Sequence, residues 1–267
     1  MTDTQTALAN PRTPHVKRVA LALSSGGMFG GYQAGVWKEL ETLIRPDAVL
    51  GASVGCLNGW AIAGGASADE LRDWWLRFGA AQKLGFRFPR RWLDGIVQSE
   101  LILAQIEALY QAYPRQTDFG VVLTELPRFR PRLFVNQEVN WRHLAASCAV
   151  IGVLPMQQFD KRTYADGGIL DPRPLSGFSH FDIDVVISVN ILPIRARSAY
   201  GGMIKSLQWV TRYASSVNVK ILEIGPADFL GGLGDAVRFK RENFDRWFTE
   251  GRAAMRKQLP SLETILR

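Results

Sequence analysis

Histidine and cysteine are scarce in this chain of 267 residues, which has three of the first and two of the second. Cys56 and Cys148 stand far apart in sequence, so neither a disulfide framework nor the paired spacing of a zinc site is present. Free, buried thiols in a reducing compartment are expected. Long apolar runs are also missing. No segment approaches the roughly 20 uninterrupted apolar residues that span a bilayer. The polar stretch 1–14 carries Pro11 and Pro14 and has no apolar core of a secretory signal. These absences point to a cytoplasmic protein that meets membranes only at its surface. Repeats, low-complexity tracts and linkers are lacking too, so residues 16–267 read as one domain behind a flexible tail, 1–15.

Acidic residues are in deficit. There are 32 Lys and Arg against 25 Asp and Glu, a formal charge of +7, which favours anionic partners such as lipid headgroups or nucleic acid. The basic residues are dispersed and belong to no recognised nucleic-acid module, which makes nucleic acid the least favoured partner. What the chain does have is a substantial core: 47% hydrophobic and 21% charged residues exclude disorder.

Apolar strands alternate with helical spacing. Val16 to Leu23 reads as a buried strand, Tyr32 to Leu43 as a helix, Ala48 to Leu50 as a short strand and Val54 to Ala63 as a small-residue helix. Ser67 and Glu70 fit a capping box before the helix through Trp74, Trp75 and Phe78. Ser99 and Asn140 are expected to cap two further helices. Phe119–Leu123 and Arg132–Asn136 suggest strands around a turn at 126–131, and Ile183–Val189 a central strand. A helix near Ile204–Ser215, a strand near Val217–Ile224 and a long amphipathic helix, Phe239 to Gln258, close the chain at Pro260. This order predicts an α/β protein with a mainly parallel central sheet covered on both faces.

The chemistry begins at Gly51-Ala52-Ser53-Val54-Gly55. A Gly-x-Ser-x-Gly turn between strand and helix lifts a serine hydroxyl out of the sheet. Earlier, Ser25-Gly26-Gly27-Met28-Phe29-Gly30-Gly31 also follows a strand. Its backbone N–H groups, at Gly26, Gly27, Met28 and Gly30, can face a developing oxyanion. It lacks the Lys-Ser/Thr of a phosphate-binding loop and the Gly-x-Gly-x-x-Gly of a dinucleotide site. Serine needs a base. His15 lies in the tail, His143 on a predicted helix, and His180 follows Asp166 in the order of a Ser–acid–His triad. Asp166 itself, before Gly167 and Gly168, is a second candidate, because desolvation would raise its basicity. The residues leave both bases open, and a plain turn at Asp166 as well.

In combination these blocks resemble the patatin-like phospholipases: a strand ending in a glycine-rich loop (Leu21 to Gly31), the serine turn (Gly51 to Gly55) and a distal Asp166-Gly167-Gly168. The run Ala145-Ala146-Ser147-Cys148-Ala149, followed by Leu154-Pro155 and Tyr164-Ala165-Asp166, is similar to that family's approach to the aspartate. The likeness covers about Lys17 to Pro174. It implies a three-layer α/β/α fold and metal-independent hydrolysis of lipid acyl esters with no cofactor. By position it also implies Ser53 as nucleophile and Asp166 as base, with no catalytic histidine. The family usually has a third consecutive glycine and then a basic residue where this chain has Ser25 and Phe29, and Asn-x-Pro where it has Asp171-Pro172-Arg173-Pro174. Backbone donors survive the first change, while the lost charge weakens a preference for phospholipid headgroups. The alternatives are an acyltransferase using the same serine, a histidine-dependent hydrolase, and a non-catalytic lipid-binding protein whose site Phe29 closes. Arg87, Phe88, Arg90, Arg91 and Trp92, with Arg128, Phe129, Arg130 and Arg132, suggest a basic, aromatic edge for an anionic membrane.

Overall fold

A computed structural model describes residues 17–81, 88, 93–191 and 219–267. The tail, most of the basic loop 87–92 and the helix expected near Ile204–Ser215 lie outside the described residues. In chain order the elements are β1 (Val19–Leu23), α1 (Gly30–Leu40), β2 (Ala48–Gly51), α2 (Val54–Ala63), α3 (Ala68–Ala81), α4 (Glu100–Ala112), β3 (Asp118–Leu126), β4 (Arg130–Val135), α5 (Trp141–Ser147), β5 (Gln157–Phe159), β6 (Arg162–Asp166), β7 (Val185–Val189), β8 (Lys220–Ile224), α6 (Leu233–Val237) and α7 (Arg241–Leu266).

The eight strands form one mixed sheet. β3, β2, β1, β7 and β8 run parallel, whereas β4, β5 and β6 join antiparallel beyond β2. β1, β2 and β7 are buried along their whole length, which is why their sequences are continuous apolar runs. Side chains still alternate between faces. Leu21, Leu23, Val49 and Ile187 enter the larger core with the helices, and Ala20, Ala22, Leu50 and Val186 pack on Phe178 and Ile183. Among the described residues that second face is covered by a 3₁₀ turn, Ser176–His180, and its flanks.

The capping box forms as expected: the Ser67 N–H donates to Glu70 and the Glu70 N–H to the Ser67 hydroxyl. Asn140 likewise accepts from the Arg142 N–H. Three expectations need correction. Ser99 precedes α4 but its side chain makes no capping bond. The strands around the predicted turn at 126–131 are longer than expected, leaving only residues 127–129 between β3 and β4, because both edges of β3 find partners. Pro260 does not stop the last helix, which runs on to Leu266. A proline removes one backbone donor, but Met255 and Leu262 continue the buried stripe on either side of it, and packing carries the helix through.

Candidate active site

Ser53 stands between the end of β2 and the start of α2 with φ 53° and ψ −127°, a left-handed conformation that costs a non-glycine residue about 1–3 kcal/mol. Two close approaches hold the turn. A Cβ on Gly51 would sit 2.4 Å from the Gly55 carbonyl oxygen, and one on Gly55 2.2 Å from that of Leu23. Only glycine fits both places, so the motif's spacing is a packing requirement. The Ser53 N–H donates to the buried Ser147 hydroxyl at 2.8 Å, which ties the strained residue to α5.

The register of β3 explains how a carboxylate reaches this serine. Val121 pairs with Gly51 on one edge and with Phe134 on the other, and Leu123 pairs with Arg132 and Asp166. β6 therefore continues along the same edge of β3 that β2 vacates. The two strands point at each other with one residue of β3, Val122, between their end positions, and Asp166 at the end of β6 meets Ser53 just beyond the end of β2. Ser53 Oγ donates to Asp166 Oδ2 at 2.7 Å. Asp166 Oδ1 accepts the Gly168 N–H at 2.7 Å, its carbonyl accepts from the buried Thr124 hydroxyl, and its N–H donates to Ala149. Burial raises the Asp166 pKa from 3.8 to about 6, against the lowering effect of the bonds from Ser53 and Gly168. A carboxylate with that pKa is ionised at neutral pH and is a better base than an exposed one.

The glycine loop lies alongside. Gly27 adopts φ 58°. Gly27 and Met28 share with Ser53 and Val54 the wall of a cavity of about 270 Å³. The rest of the wall is apolar, from Leu57, Trp75, Phe78, Ile102 and Ile106 to Ala236 and Val237, and among the described residues no charged side chain lines it. Ile96, Val150 and Val237 belong to the wall and are also exposed, so the cavity opens beside them. Of the four sequence-predicted oxyanion positions, Gly27 and Met28 reach the cavity. Gly26 packs on Ile191, and Gly30 begins α1 against Trp75 and Val54. Phe29 turns away from the cavity and meets Trp247 edge-on at 4.9 Å. Ser25 donates its N–H to the Pro172 carbonyl and packs on Gly168, so the loop and the aspartate turn brace each other.

Neither remaining histidine touches the serine. The His143 ring stacks among Phe134 and Phe159, with Nδ1 accepting the Asn140 N–H. His180 is exposed beside the Ser179 hydroxyl. Cys56 and Cys148 are free thiols, the first buried and the second half-buried on the cavity wall.

The sequence profile of the patatin-like phospholipases matches residues 21–179, more than half of the chain. The chain belongs to this family. An uncharacterized NTE family protein of Mycobacterium tuberculosis is 31% identical over 184 residues, covering 65% of this patatin-like chain and 49% of that protein. Lysophospholipase nte1 of Aspergillus terreus is 25% identical over 212 residues, 70% of this chain and 13% of the fungal protein. The chain thus spans about half the length of the mycobacterial relative and far less of the fungal one. Among solved structures, VipD from Legionella pneumophila superposes with a TM-score of 0.55 at 12% identity, over 92% of this chain and 67% of that one. At that identity the likeness concerns the fold alone.

Sequence reasoning missed several residues of this patatin-like site. Ser147 lay inside a recognised small-residue run, but nothing local says that its hydroxyl meets the Ser53 N–H 94 positions away. Thr124, α6 with Ala236 and Val237, and the buried amides of Gln33 and Asn58 also gave no signal beyond ordinary helix and strand patterns.

Proposed function

We propose that residues 16–267 act as one serine lipid acyl hydrolase domain, a phospholipase A or lysophospholipase-like esterase. Ser53 is its nucleophile, Asp166 its base, and the amides of the Gly26–Met28 loop its oxyanion donors. The observation that carries this reading is the 2.7 Å bond from Ser53 Oγ to a buried carboxylate, at the wall of an apolar cavity. Ser53 Oγ attacks the carbonyl carbon of an acyl ester while its proton passes to Asp166 Oδ2. The tetrahedral oxyanion takes hydrogen bonds from backbone N–H groups, each worth about 10²–10³ in rate. The intermediate collapses by breaking the bond to the alcohol, which leaves with the proton from Asp166. Water then attacks the acyl-Ser53 ester and gives its proton to Asp166. The free acid departs as Ser53 Oγ recovers that proton. A Ser–Asp pair needs no histidine in this scheme.

The substrate class follows from the cavity and the family. An apolar wall suits an acyl chain, and phospholipids or lysophospholipids are the esters implied by the names of the family and of the fungal relative. The decisive test is fluorophosphonate labelling of purified protein together with an ester assay. Wild-type chain is expected to label at Ser53 and to hydrolyse the ester, and Ser53→Ala to lose both, with at least about 10³-fold slower turnover. Undiminished hydrolysis by Ser53→Ala would overturn the assignment.

The lipid would be met at a surface, since among the described residues no helix is long and apolar enough to cross a membrane. The β3–β4 turn provides a basic, aromatic tip. Phe129 is exposed there with φ 47°. Arg128, Arg132 and Arg162 surround the buried Glu125, so three guanidinium groups face one carboxylate, and the exposed Arg130 stands opposite Glu125 in the strand register. Leu126 at the base of the turn packs with Met156 and Leu93, and those segments run on to the exposed Ile96, Val150 and Ile151 beside the cavity. Of the sequence-predicted edge at 87–92, only Phe88, fully exposed, is among the described residues.

A further inference from the structure

Two fully buried amides lie where an α/β core normally carries apolar side chains. Asn58, on α2, is 0% exposed and Gln33, on α1, is 1% exposed. Polar groups in such places are costly unless each finds a partner, and these do. The Trp75 indole N–H donates to Asn58 Oδ1 at 2.8 Å. Asn58 Nδ2 donates to Gln33 Oε1 at 2.9 Å and to the Gly30 carbonyl at 3.0 Å. Gln33 Nε2 donates to the Ser24 carbonyl at 2.8 Å. The chain has a single direction. An indole N–H can only donate and a carbonyl can only accept, so the two ends fix which way both amides face.

The two carbonyls that receive this chain, Ser24 and Gly30, bracket the glycine loop. Between them lie Gly26, Gly27 and Met28, the last two on the cavity wall with Ser53. Asn58 meanwhile lies one helical turn along α2 from Val54, the residue that follows the nucleophile. Asn58 thus connects the helix that begins after Ser53 to the Gly30 end of the loop directly and to its Ser24 end through Gln33. No other part of the mechanism uses it.

We infer that Asn58 and Gln33 are positioning residues for the acyl-transfer step: they set the distance between the Ser53 hydroxyl and the oxyanion donors of the glycine loop. This rests on the hydrolase reading above. Oxyanion donors work only when preorganised at the place where charge develops, and a shift of about 1 Å can cost about 10²-fold in rate. The Pro172 carbonyl and the aspartate turn brace the loop at Ser25, and the backbone carbonyls at its two ends are the handles by which α1 and α2 hold it. The substrate's acyl chain touches neither amide, since neither lines the cavity, and Trp75, which does, is also held by the rings of Trp74, Phe78 and Phe244, so binding should change little on their loss.

The test uses Asn58→Leu and Gln33→Met in the full chain, near-isosteric changes that add no charge. Turnover of p-nitrophenyl butyrate is divided by the number of serines labelled to completion with a fluorophosphonate. Unfolded protein then drops out of the count, and a merely structural role leaves kcat per site at the wild-type value. The expected result is a kcat per site lower by about 10–100-fold for Asn58→Leu, which severs both branches, and less for Gln33→Met, which frees only Ser24, with KM within about twofold in each. Wild-type kcat per labelled serine in either variant, or a loss confined to KM, would overturn the inference alone. Ester hydrolysis that survives Ser53→Ala would instead overturn the hydrolase reading, and this inference with it.

Discussion

The parallel and antiparallel parts of the sheet contribute differently to the site. In the parallel part, β1 and β2 are wholly buried, and each passes within a few residues into a turn and a helix. The glycine loop and Ser53 therefore stand at adjacent strand ends, fixed by local packing. The antiparallel part is a later, more exposed addition in which β4 and β5 are only partly covered. It supplies Asp166 through register alone, 113 positions after Ser53. A serine held by a turn is written in five consecutive residues, Gly51 to Gly55. Asp166, delivered by strand pairing, is marked locally only by the two glycines that follow it.

The contrast is sharpest in what removal should do. Asp166→Asn keeps the shape, and an amide can still accept from Gly168 and face Ser53, but the base is gone. kcat is expected to fall by about 10³–10⁴-fold. Stability should move the other way. The Asp166 pKa is raised from 3.8 to about 6 by burial, so between those values the folded protein holds a proton that the unfolded chain releases. The group's stabilising contribution is complete below 3.8 and is lost as pH rises through about 6, which leaves ionised Asp166 costing about 3 kcal/mol at neutral pH. Asp166→Asn is therefore expected to unfold at a higher temperature than wild type at pH 8, with the gap closing toward pH 4. A lower melting temperature at pH 8 would mean that the carboxylate supports the turn and is not strained by it.

The same division decides what was legible in the sequence. Gly51, Ser53 and Gly55 could be read because their spacing is a steric necessity of one turn, and the parallel order followed from apolar runs separated by helical spacing. Asp166-Gly167-Gly168 looked like any turn until it was joined to the other blocks. Its partnership with Ser53 depends on β3 pairing with β2 and β6 along one edge, a long-range register that composition does not encode. Ser147, Gln33 and Asn58 were illegible for the same reason, since a polar residue inside a helix reads as solvent-facing unless its partner is known. Pro260 misled in the opposite direction, because a strong local signal for ending a helix was outweighed by the burial of Leu262 beyond it.

A smaller effect distinguishes the buried Asp166 from the half-buried Asp171 near the site. With Asp166 as base, kcat/KM is expected to rise about tenfold per pH unit up to about 6 and then level off. Asp171, in the departure from the family's usual Asn-x-Pro, is likewise raised to about 6, mainly by burial. It accepts from the Ser176 hydroxyl and not from Ser53. Asp171→Asn should therefore leave the acid limb of the profile in place. A profile that flattens in this variant would move the controlling titration from the β6 turn to the loop after it.

The least effect is expected at the far end of the antiparallel part, where the β3–β4 turn carries its arginines around Phe129. Each basic residue near an anionic surface contributes about 1 kcal/mol, roughly a fivefold change in binding. Arg130→Gln in a Ser53→Ala background, so that no lipid is consumed, should bind vesicles of phosphatidylcholine mixed with phosphatidylglycerol about fivefold more weakly than Ser53→Ala alone. Binding to phosphatidylcholine vesicles should be unchanged, and with Ser53 present, hydrolysis of a short soluble ester as well. The comparison separates docking from chemistry because the tip lies at the β3–β4 turn while Ser53 lies between β2 and α2. If the parent protein floats equally with neutral and anionic vesicles, charge has no part in docking, and the antiparallel extension serves the site only by delivering Asp166.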